Sequence, residues 1–304
     1  MRKLNVLSLF DGLSGGRIAL SRTNLEIENY FSSEIDKYCI QIADKNWPMD
    51  KNNRLGDVLN LDTTKLPKID LLIGGSPCQS FTFAGKRDGM STESKIKILT
   101  LDHYLQLKKE KFKFIGESYL FWEYMRILKE VKPKYFLLEN VKMSKEWKDV
   151  LSNAIGFEPI LINSNLQSAQ NRQRLYWTNI PNITQPNDKN LLLKDIVIKE
   201  DVDNFDLSYK HHQGFLRSYK WRHRELNEKS NTLLASYYKQ PPHSPYILRE
   251  KSPSGFRRLT PLECERLQTL PDNYTEGVSN TQRYKMIGNG WTIDVISHIF
   301  KNII

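Results

Sequence analysis

The stretch Gly74-Gly75-Ser76-Pro77-Cys78-Gln79-Ser80-Phe81 constrains the chain most. Ahead of it, Ile69-Asp70-Leu71-Leu72-Ile73 is a short apolar run of the kind that forms a strand buried on both faces. Two glycines end the strand, a proline stiffens the turn, and a cysteine follows. This sets a thiol at the mouth of an α/β sheet, where ligands bind. Cys78 reads as a nucleophile. The alternative is a buried, inert thiol, because reactivity and not packing decides a cysteine's role. The polar, glycine-containing stretch after it reads as a loop that moves.

The rest of the chain supplies a sheet for that strand. Leu4 to Phe10 is an alternating apolar strand, Asp11-Gly12-Leu13-Ser14-Gly15-Gly16 a glycine loop, and Arg17-Ile18-Ala19-Leu20 the start of a helix. Strand, glycine loop, helix is the first unit of a doubly wound nucleotide-binding sheet, although a plain strand-to-helix turn reads the same. Glu28 to Ser33 gives a second strand ending at Glu34-Ile35, where an acid can accept both ribose hydroxyls of an adenosyl ligand. Asp36 caps a helix that runs through Lys45. Asp57, in Gly56-Asp57-Val58, is either an acceptor for an exocyclic adenine amine or a turn aspartate.

From residue 85 to 116 the chain is polar and basic, with helical character over Thr100 to Lys109. Tyr119 to Leu128 reads as an amphipathic helix, ended by Pro133. Tyr135 to Val141 is a strand carrying Glu139. If that strand runs parallel to Ile69–Ile73, Glu139 shares a sheet edge with Cys78. There it suits a group that gives a proton or a hydrogen bond to a ring nitrogen; the alternative is a solvated glutamate at an Asn-Val turn. A helix over 144–155 and a strand over 158–164 continue the alternation. Arg172 and Arg174 then project the same way from an extended strand, suiting a phosphate or a carbonyl oxygen, or plain surface charge.

After Ile180-Pro181 the texture changes. Residues 181 to about 256 are rich in Pro, Asn, Lys and Tyr and lack βα alternation. Arg217, Lys220, Arg222, His223 and Arg224 surround Tyr219 and Trp221, a pattern that suits a nucleic-acid surface or a solvated face. Thr260 caps a helix with Pro261 in its first position and Glu263 completing a capping box. Tyr284 to Gly290 lead into a final apolar helix, Trp291 to Ile304.

Composition narrows the partners. A formal net charge of +10 over 304 residues suits a polyanion. No apolar run reaches about 18 residues, so no transmembrane helix is expected, and the N-terminus enters a strand without the pattern of a signal peptide. Cys39, Cys78 and Cys264 form no CxxC pair, and the histidines lack metal-ligand spacing. A disulfide framework, a zinc ribbon and a metal site are therefore not expected, and a reducing intracellular setting is.

In order and spacing, these pieces resemble the motifs of the C5-cytosine DNA methyltransferases over nearly the whole chain. Phe10 to Gly16 resembles the first S-adenosylmethionine motif, in the longer form similar to that of the animal de novo DNA methyltransferases. Ser76-Pro77-Cys78-Gln79 resembles the catalytic PCQ loop, Glu139-Asn140-Val141 the ENV motif, and Gln170-Asn171-Arg172-Gln173-Arg174 the QxRxR motif. Arg258-Leu259-Thr260-Pro261 with Glu263 resembles the motif at the domain junction, and Gly288-Asn289-Gly290 the final motif. Three departures stand out: Ile35 replaces an aromatic residue, Gly290-Trp291 stands where Ser or Ala followed by Val is usual, and an insertion of roughly 25 residues, an ordinary length for a functional loop, follows Cys78.

The resemblance implies an α/β, Rossmann-like S-adenosylmethionine-dependent methyltransferase domain, residues 1–180 plus 283–304, and a smaller target-recognition domain, residues 181–282. It implies that Cys78, Glu139, Arg172 and Arg174 are catalytic. S-adenosyl-L-methionine would be held by Phe10, Asp11, Gly12, Leu13, Ser14 and Gly15 in the first loop and by Glu34, Ile35, Asp57 and Val58 after it. Ser76, Pro77, Leu120, Asn289, Gly290 and Trp291 would complete that site. Gln79, Ser80, Lys86, Arg87, Arg217, Lys220, Arg222, Arg224 and Thr232 would contact duplex DNA. The implied reaction methylates C5 of a cytosine flipped out of a specific duplex sequence, through a bond between Cys78 and ring C6. The implied enzyme is a monomer in the cytoplasm of a bacterial or phage-infected cell, without membrane or metal. Two rivals stay open: cytosine methylation of transfer RNA on the same scaffold, and a non-catalytic DNA-binding relative.

Overall fold

The structure is a computed structural model that describes residues 3–77, 90–200, 202–207, 224–241 and 244–304. Six strands build its main sheet: β1 (Leu4–Leu9), β2 (Ile27–Ser33), β3 (Leu71–Gly75), β4 (Tyr135–Val141), β5 (Ile160–Asn163) and β6 (Gln173–Thr178). Their order is β2-β1-β3-β4-β6-β5. β1 runs parallel to β2 and β3, and β3 parallel to β4, while β6 is antiparallel to both its neighbours.

Side chains alternate across this sheet. Val6, Leu71, Ile73 and Leu137 face one layer; Leu7, Leu72 and Leu138 face the other. On the first face lie α1 (Gly15–Ser21), α2 (Lys37–Asn46) and the final helix α8 (Ile293–Phe300). On the second lie α3 (Leu101–Lys109), α4 (Phe121–Val131) and α5 (Lys145–Ile155). Burial on both faces is why the central strands read as continuous apolar runs. Ser297 Oγ of α8 donates to the Ala19 carbonyl at 3.1 Å, and Arg22 pairs with Asp294 at 2.5 Å, so the chain's end is stitched to its first helix.

The first apolar layer continues beyond the sheet. It includes Leu193, Ile196, Leu207 and Leu233, residues of the hairpin β7 (Tyr246–Leu248) and β8 (Phe256–Arg258), and residues of α6 (Pro261–Leu267). Thr260 caps α6 with the expected box: its hydroxyl accepts from Glu263 N–H at 3.2 Å, and Glu263 accepts from Thr260 N–H at 2.7 Å. Glu263 also takes both terminal nitrogens of the buried Arg257, at 2.7 and 2.8 Å. No helix among the described residues is long and apolar enough to cross a membrane.

Several elements depart from the sequence reading. β3 does not stop at the two glycines but runs through them to Gly75, which pairs with Glu139 of β4. Both are there for close approach. A Cβ on Gly74 would lie 3.1 Å from the Leu9 carbonyl oxygen, and one on Gly75 would lie 2.9 Å from Trp291 Nε1. The insertion is more than a loop. Met90, Ile98, Leu101, Tyr104 and Leu107 are buried in the second layer. Thr100 caps α3 as expected, accepting from His103 N–H at 3.2 Å. Buried Glu123 of α4 accepts from Tyr104 at 2.6 Å, Lys108 at 2.5 Å and Arg126 at 2.8 Å, tying the insertion to α4.

The C-terminal region holds one helix more than expected, α7 (Asn280–Asn289), and α8 is shorter than the expected Trp291–Ile304. Between them Gly290 is extended, with its N–H back on Met286 and Ile287 carbonyls at 2.9 and 3.1 Å. Gly288 lies directly on the Leu234–Ala235 backbone, well inside contact distance for any Cβ. Gly288→Ala therefore forces two backbones apart. Overpacking of this kind costs about 1–3 kcal/mol, and thermal melts should show a loss of about 2–4 °C for each of those kcal/mol. An unchanged melting temperature would contradict this packing.

Candidate active site

Parallel strands deliver their following residues to one edge of the sheet. Here Phe10 to Leu13 follow β1, Glu34 to Asp36 follow β2, Ser76 and Pro77 follow β3, and Glu139 to Val141 end β4. All of these line one cavity of about 540 Å³, a size that holds a small-molecule ligand. Asp57, Val58, Leu120, Asn289, Gly290 and Trp291 line it as well. Of the residues expected to hold a cofactor, all but Ser14 line this cavity.

The first loop is held by a buried acid. Asp11 accepts from Ser14 Oγ and from Tyr30 OH, both at 2.6 Å, and from Arg54 Nη1 at 3.2 Å. Burial outweighs these partners and raises its pKa above the usual carboxylate range. Asp11 and Ser14 thus shape the loop from behind. Phe10 and Ser14 are left-handed, at φ 56° and 62°, strain of the kind that marks a loop built around a ligand. Glu34 faces the cavity, and three backbone amides hold its carboxylate: Gly12 at 2.7 Å, Ile35 at 2.7 Å and Asp36 at 2.8 Å. Burial raises its pKa against the pull of those amides. Asp36 caps α2 as expected, and Lys285 of α7 reaches it at 2.9 Å across the cavity rim. Asp57 caps a short turn, accepting from Leu59 N–H at 3.0 Å. Ile35 is 69% exposed and offers apolar surface beside these acids.

At the other end, Glu139 is gripped from two sides. Arg174 Nε lies 2.9 Å from Oε1, and Trp291 Nε1 donates to Oε2 at 3.0 Å. The parallel β3–β4 pairing puts Glu139 at the sheet edge reached by the chain just before Cys78. Asn140 Nδ2 donates to the Ser76 carbonyl at 3.2 Å and to Ser76 Oγ at 3.1 Å, anchoring the root of that loop. Cys78, Gln79, Ser80, Lys86, Arg87, Arg217, Lys220 and Arg222 lie outside the described residues. The described thiols are poor nucleophiles: burial, aided by the Glu34 and Asp36 carboxylates, pushes Cys39 up, and burial does the same to Cys264.

The two arginines both line the cavity but make different contacts. Arg172 precedes β6 and is 3% exposed. Its guanidinium donates to the carbonyls of Leu233 at 3.0 Å, Gly288 at 3.1 Å and Gly290 at 2.9 Å. It joins the final motif to the segment before it. Two expected DNA contacts also have internal partners. Arg224 donates to Asn231 Oδ1 through Nε at 3.1 Å and Nη2 at 2.5 Å, and Thr232 Oγ1 donates to the Asn171 carbonyl at 2.6 Å.

Sequence reasoning missed Gln268. Its amide nitrogen donates to the Ile287 carbonyl at 3.0 Å and its oxygen accepts from Gln170 at 3.0 Å and Thr292 at 2.8 Å, all in the interior. Nothing in its local sequence signals this, because each partner is remote along the chain.

The model of the C-5 cytosine-specific DNA methylase family matches residues 4–304. The chain belongs to this family. The type II methyltransferase M1.ScrFI of Lactococcus lactis subsp. cremoris is 30% identical over 99% of this chain and 78% of that protein. M.NlaX of Neisseria lactamica is 29% identical over 97% of this chain and 94% of that protein. The orphan methyltransferase M.Rho11sI of Bacillus phage rho11s is 35% identical over 58% of this chain and 33% of that protein. Among solved structures, the Entamoeba histolytica methyltransferase EhMeth matches with a TM-score of 0.75 at 14% identity, over 99% of this chain and 98% of that one. The S. pombe Dnmt2 methyltransferase matches at 0.70 and 16%, over 98% and 97%. These two share the fold. The protein is a DNA cytosine-5-methyltransferase, and its family and fold imply use of S-adenosylmethionine.

For this C5 methyltransferase, Glu34→Ala leaves the Gly12, Ile35 and Asp36 amides without their acceptor. Calorimetric titration with S-adenosylmethionine should show binding weakened roughly ten-fold or more, about 1.4 kcal/mol. Unchanged affinity would detach Glu34 from cofactor binding.

Proposed function

We propose that this methyltransferase flips a cytosine out of a specific duplex DNA sequence and methylates its C5 through a covalent bond between Cys78 and C6. The observation that carries the reading is the grip on Glu139. A carboxylate held by an ion pair with Arg174 and a hydrogen bond from Trp291 lines the same cavity as Glu34 and as Pro77, the residue before Cys78. A non-catalytic DNA binder has no use for that arrangement. The names of the relatives, type II DNA methyltransferases among them, favour DNA over transfer RNA as substrate.

The cavity residues fit an adenosyl group. In this reading Glu34 takes the ribose, Asp57 the adenine amine, and Ile35, Phe10 and Val58 the faces of the ring. When bound, S-adenosylmethionine supplies an electrophilic methyl group on sulfur. Cys78, as thiolate, adds to C6 of the flipped base, forming the S–C6 bond and moving the C5–C6 π electrons toward C5, which becomes nucleophilic. Glu139 retains lone pairs beyond those used by its two partners and accepts from the exocyclic amine of the base, fixing its orientation. Arg174 stays beside that carboxylate and faces the same cavity. After C5 is alkylated, loss of its proton and departure of the Cys78 sulfur from C6 restore the aromatic ring and the free thiolate.

Residues 1–180 with 283–304 form the catalytic and cofactor-binding part in this reading, supported by the packing of α8 on α1. Residues 181–282 read the target, as a monomer on DNA in the cytoplasm of a bacterial or phage-infected cell, the setting of the bacterial and phage relatives. The cavity's place at the sheet edge supports base flipping, since a base inside a duplex cannot reach it.

Cys78→Ala should abolish methyl transfer to duplex DNA. The wild type should form a denaturation-stable adduct with a duplex containing 5-fluorocytosine, because fluorine at C5 blocks the last elimination. Methylation by Cys78→Ala, or greater incorporation into transfer RNA than into duplex DNA, would sink the reading. For the basic cluster, Lys220→Ala with Arg222→Ala should flatten the salt dependence of DNA binding by about 0.9 log unit per log salt for each phosphate no longer neutralised. Arg224→Ala should lower the melting temperature more than the salt slope, since Asn231 already engages its guanidinium. A salt slope unchanged in the double variant would return those residues to plain surface.

A further inference from the structure

Trp291 lines the cavity, and its indole nitrogen donates to Glu139. An indole N–H can only donate, and so can the guanidinium of Arg174 on the other oxygen. Both oxygens of Glu139 are therefore engaged, Oε1 in an ion pair 2.9 Å from Arg174 Nε and Oε2 as acceptor at 3.0 Å from Trp291 Nε1. The space for this contact is made by Gly75, which pairs with Glu139 across β3 and β4. A Cβ there would lie 2.9 Å from Trp291 Nε1 and 3.1 Å from Glu139 Oε2. The indole's backbone is fixed as well. The Gly290 carbonyl receives Arg172 at 2.9 Å and Gln268 at 3.3 Å, and Thr292 Oγ1 donates to Gln268 at 2.8 Å.

We propose that Trp291 is a positioning residue for the target base: its indole N–H holds the Glu139 carboxylate in the orientation that accepts the exocyclic amine of cytosine. The inference rests on the role given to Glu139 above. Arg174 alone reaches one carboxylate oxygen through Nε and leaves the other free to swing. With Trp291 on the second oxygen, the plane of the carboxylate is set before the base arrives, so orientation is not lost at the moment of reaction. A valine at this position, usual in the sequences this chain resembles, has no donor and cannot make the contact.

The test separates the hydrogen bond from the bulk of the ring. Trp291→Phe keeps an aromatic wall and removes the N–H; Trp291→Val removes both. Plasmid DNA carrying [5-³H]cytosine, incubated without a methyl donor, releases tritium when Cys78 adds to C6 and C5 exchanges its proton. This reads the base half of the site alone. Trp291→Phe should slow the release about ten-fold or more, as expected for losing a hydrogen bond to a charged group. Its S-adenosylmethionine dissociation constant should stay within about three-fold of wild type and its DNA KM should not move. Trp291→Val should slow release at least as much. Release at the wild-type rate from Trp291→Phe overturns the proposal. So does a loss seen only as weaker S-adenosylmethionine binding, which makes the indole a wall of the cofactor cavity. Should the phenylalanine variant fail to melt cooperatively, the same two readings on Trp291→Val decide. If the wild type itself releases no tritium, it is the Cys78–Glu139 mechanism that fails.

Discussion

The guanidinium of Arg172 holds three carbonyls at once, and the active site depends on that grip. Leu233, Gly288 and Gly290 belong to segments far from β6 in sequence, and one buried cation brings them together. Hydrogen bonds from a charged group are worth about 1.5–3 kcal/mol each. The larger stake is the charge itself, which is costly to strand in the interior if its acceptors move away. The turn between α7 and α8 is therefore fixed before any ligand binds. Because Gly290 is held, Trp291 is held, and through it Glu139. The buried amides of Gln170 and Gln268 close the same junction without charge.

The two acids in the cavity are held by different means, and the difference suits their proposed tasks. Glu34 is gripped by backbone amides alone, two from its own loop and Gly12 from the loop after β1, so its place is set by the two neighbouring strand ends. That suits an unreactive ligand contact. Glu139 is gripped by two side chains from β6 and the α7–α8 turn, so its orientation is a property of the whole assembled site. That suits a group whose alignment with a reacting ring matters. Asp11 is a third case: an acid spent wholly on loop shape, with Ser14, Tyr30 and Arg54 around it.

What could be read in the sequence was what local chemistry dictates. The β1 loop, Glu34 at the end of β2, the Asp36 cap, the Thr260 capping box and Glu139 at the end of β4 each carry a short-range signal, and the structure has all of them. The failures are tertiary. Gly74 and Gly75 read as a turn because glycine usually marks one, yet they continue β3 under the pressure of Tyr124 and Trp291. Arg172 and Arg174 look equivalent if strand alternation holds for both, but β6 begins between them. Arg224 and Thr232 read as surface for DNA; both are half-buried, and their partners Asn231 and Asn171 are contacts the sequence does not announce. α7 escapes a sequence reading because its burial is set by Gly288 against Leu234–Ala235, a contact no window of sequence contains.

The cavity is braced from both faces of the sheet. The Glu139 half is fixed by the α7–α8 turn, which grows out of the layer shared with α1, α6 and the β7–β8 hairpin. The half proposed for the adenosyl group borders both layers: Leu13 lies in the first and Lys285 of α7 reaches Asp36, while Val58 lies in the second. There Arg126 of α4 donates to the Val58 carbonyl at 3.2 Å, and its neighbour Glu123 receives Tyr104 and Lys108 from the insertion. The insertion thus has a structural reason to exist beside the site: it packs the far side of the helix that steadies the Asp57–Val58 turn. Because the insertion and the α7–α8 turn pack in separate apolar layers, a change in one need not loosen the other. Substitutions in the insertion and substitutions at the α7–α8 turn should then behave additively, as distant sites without shared partners do.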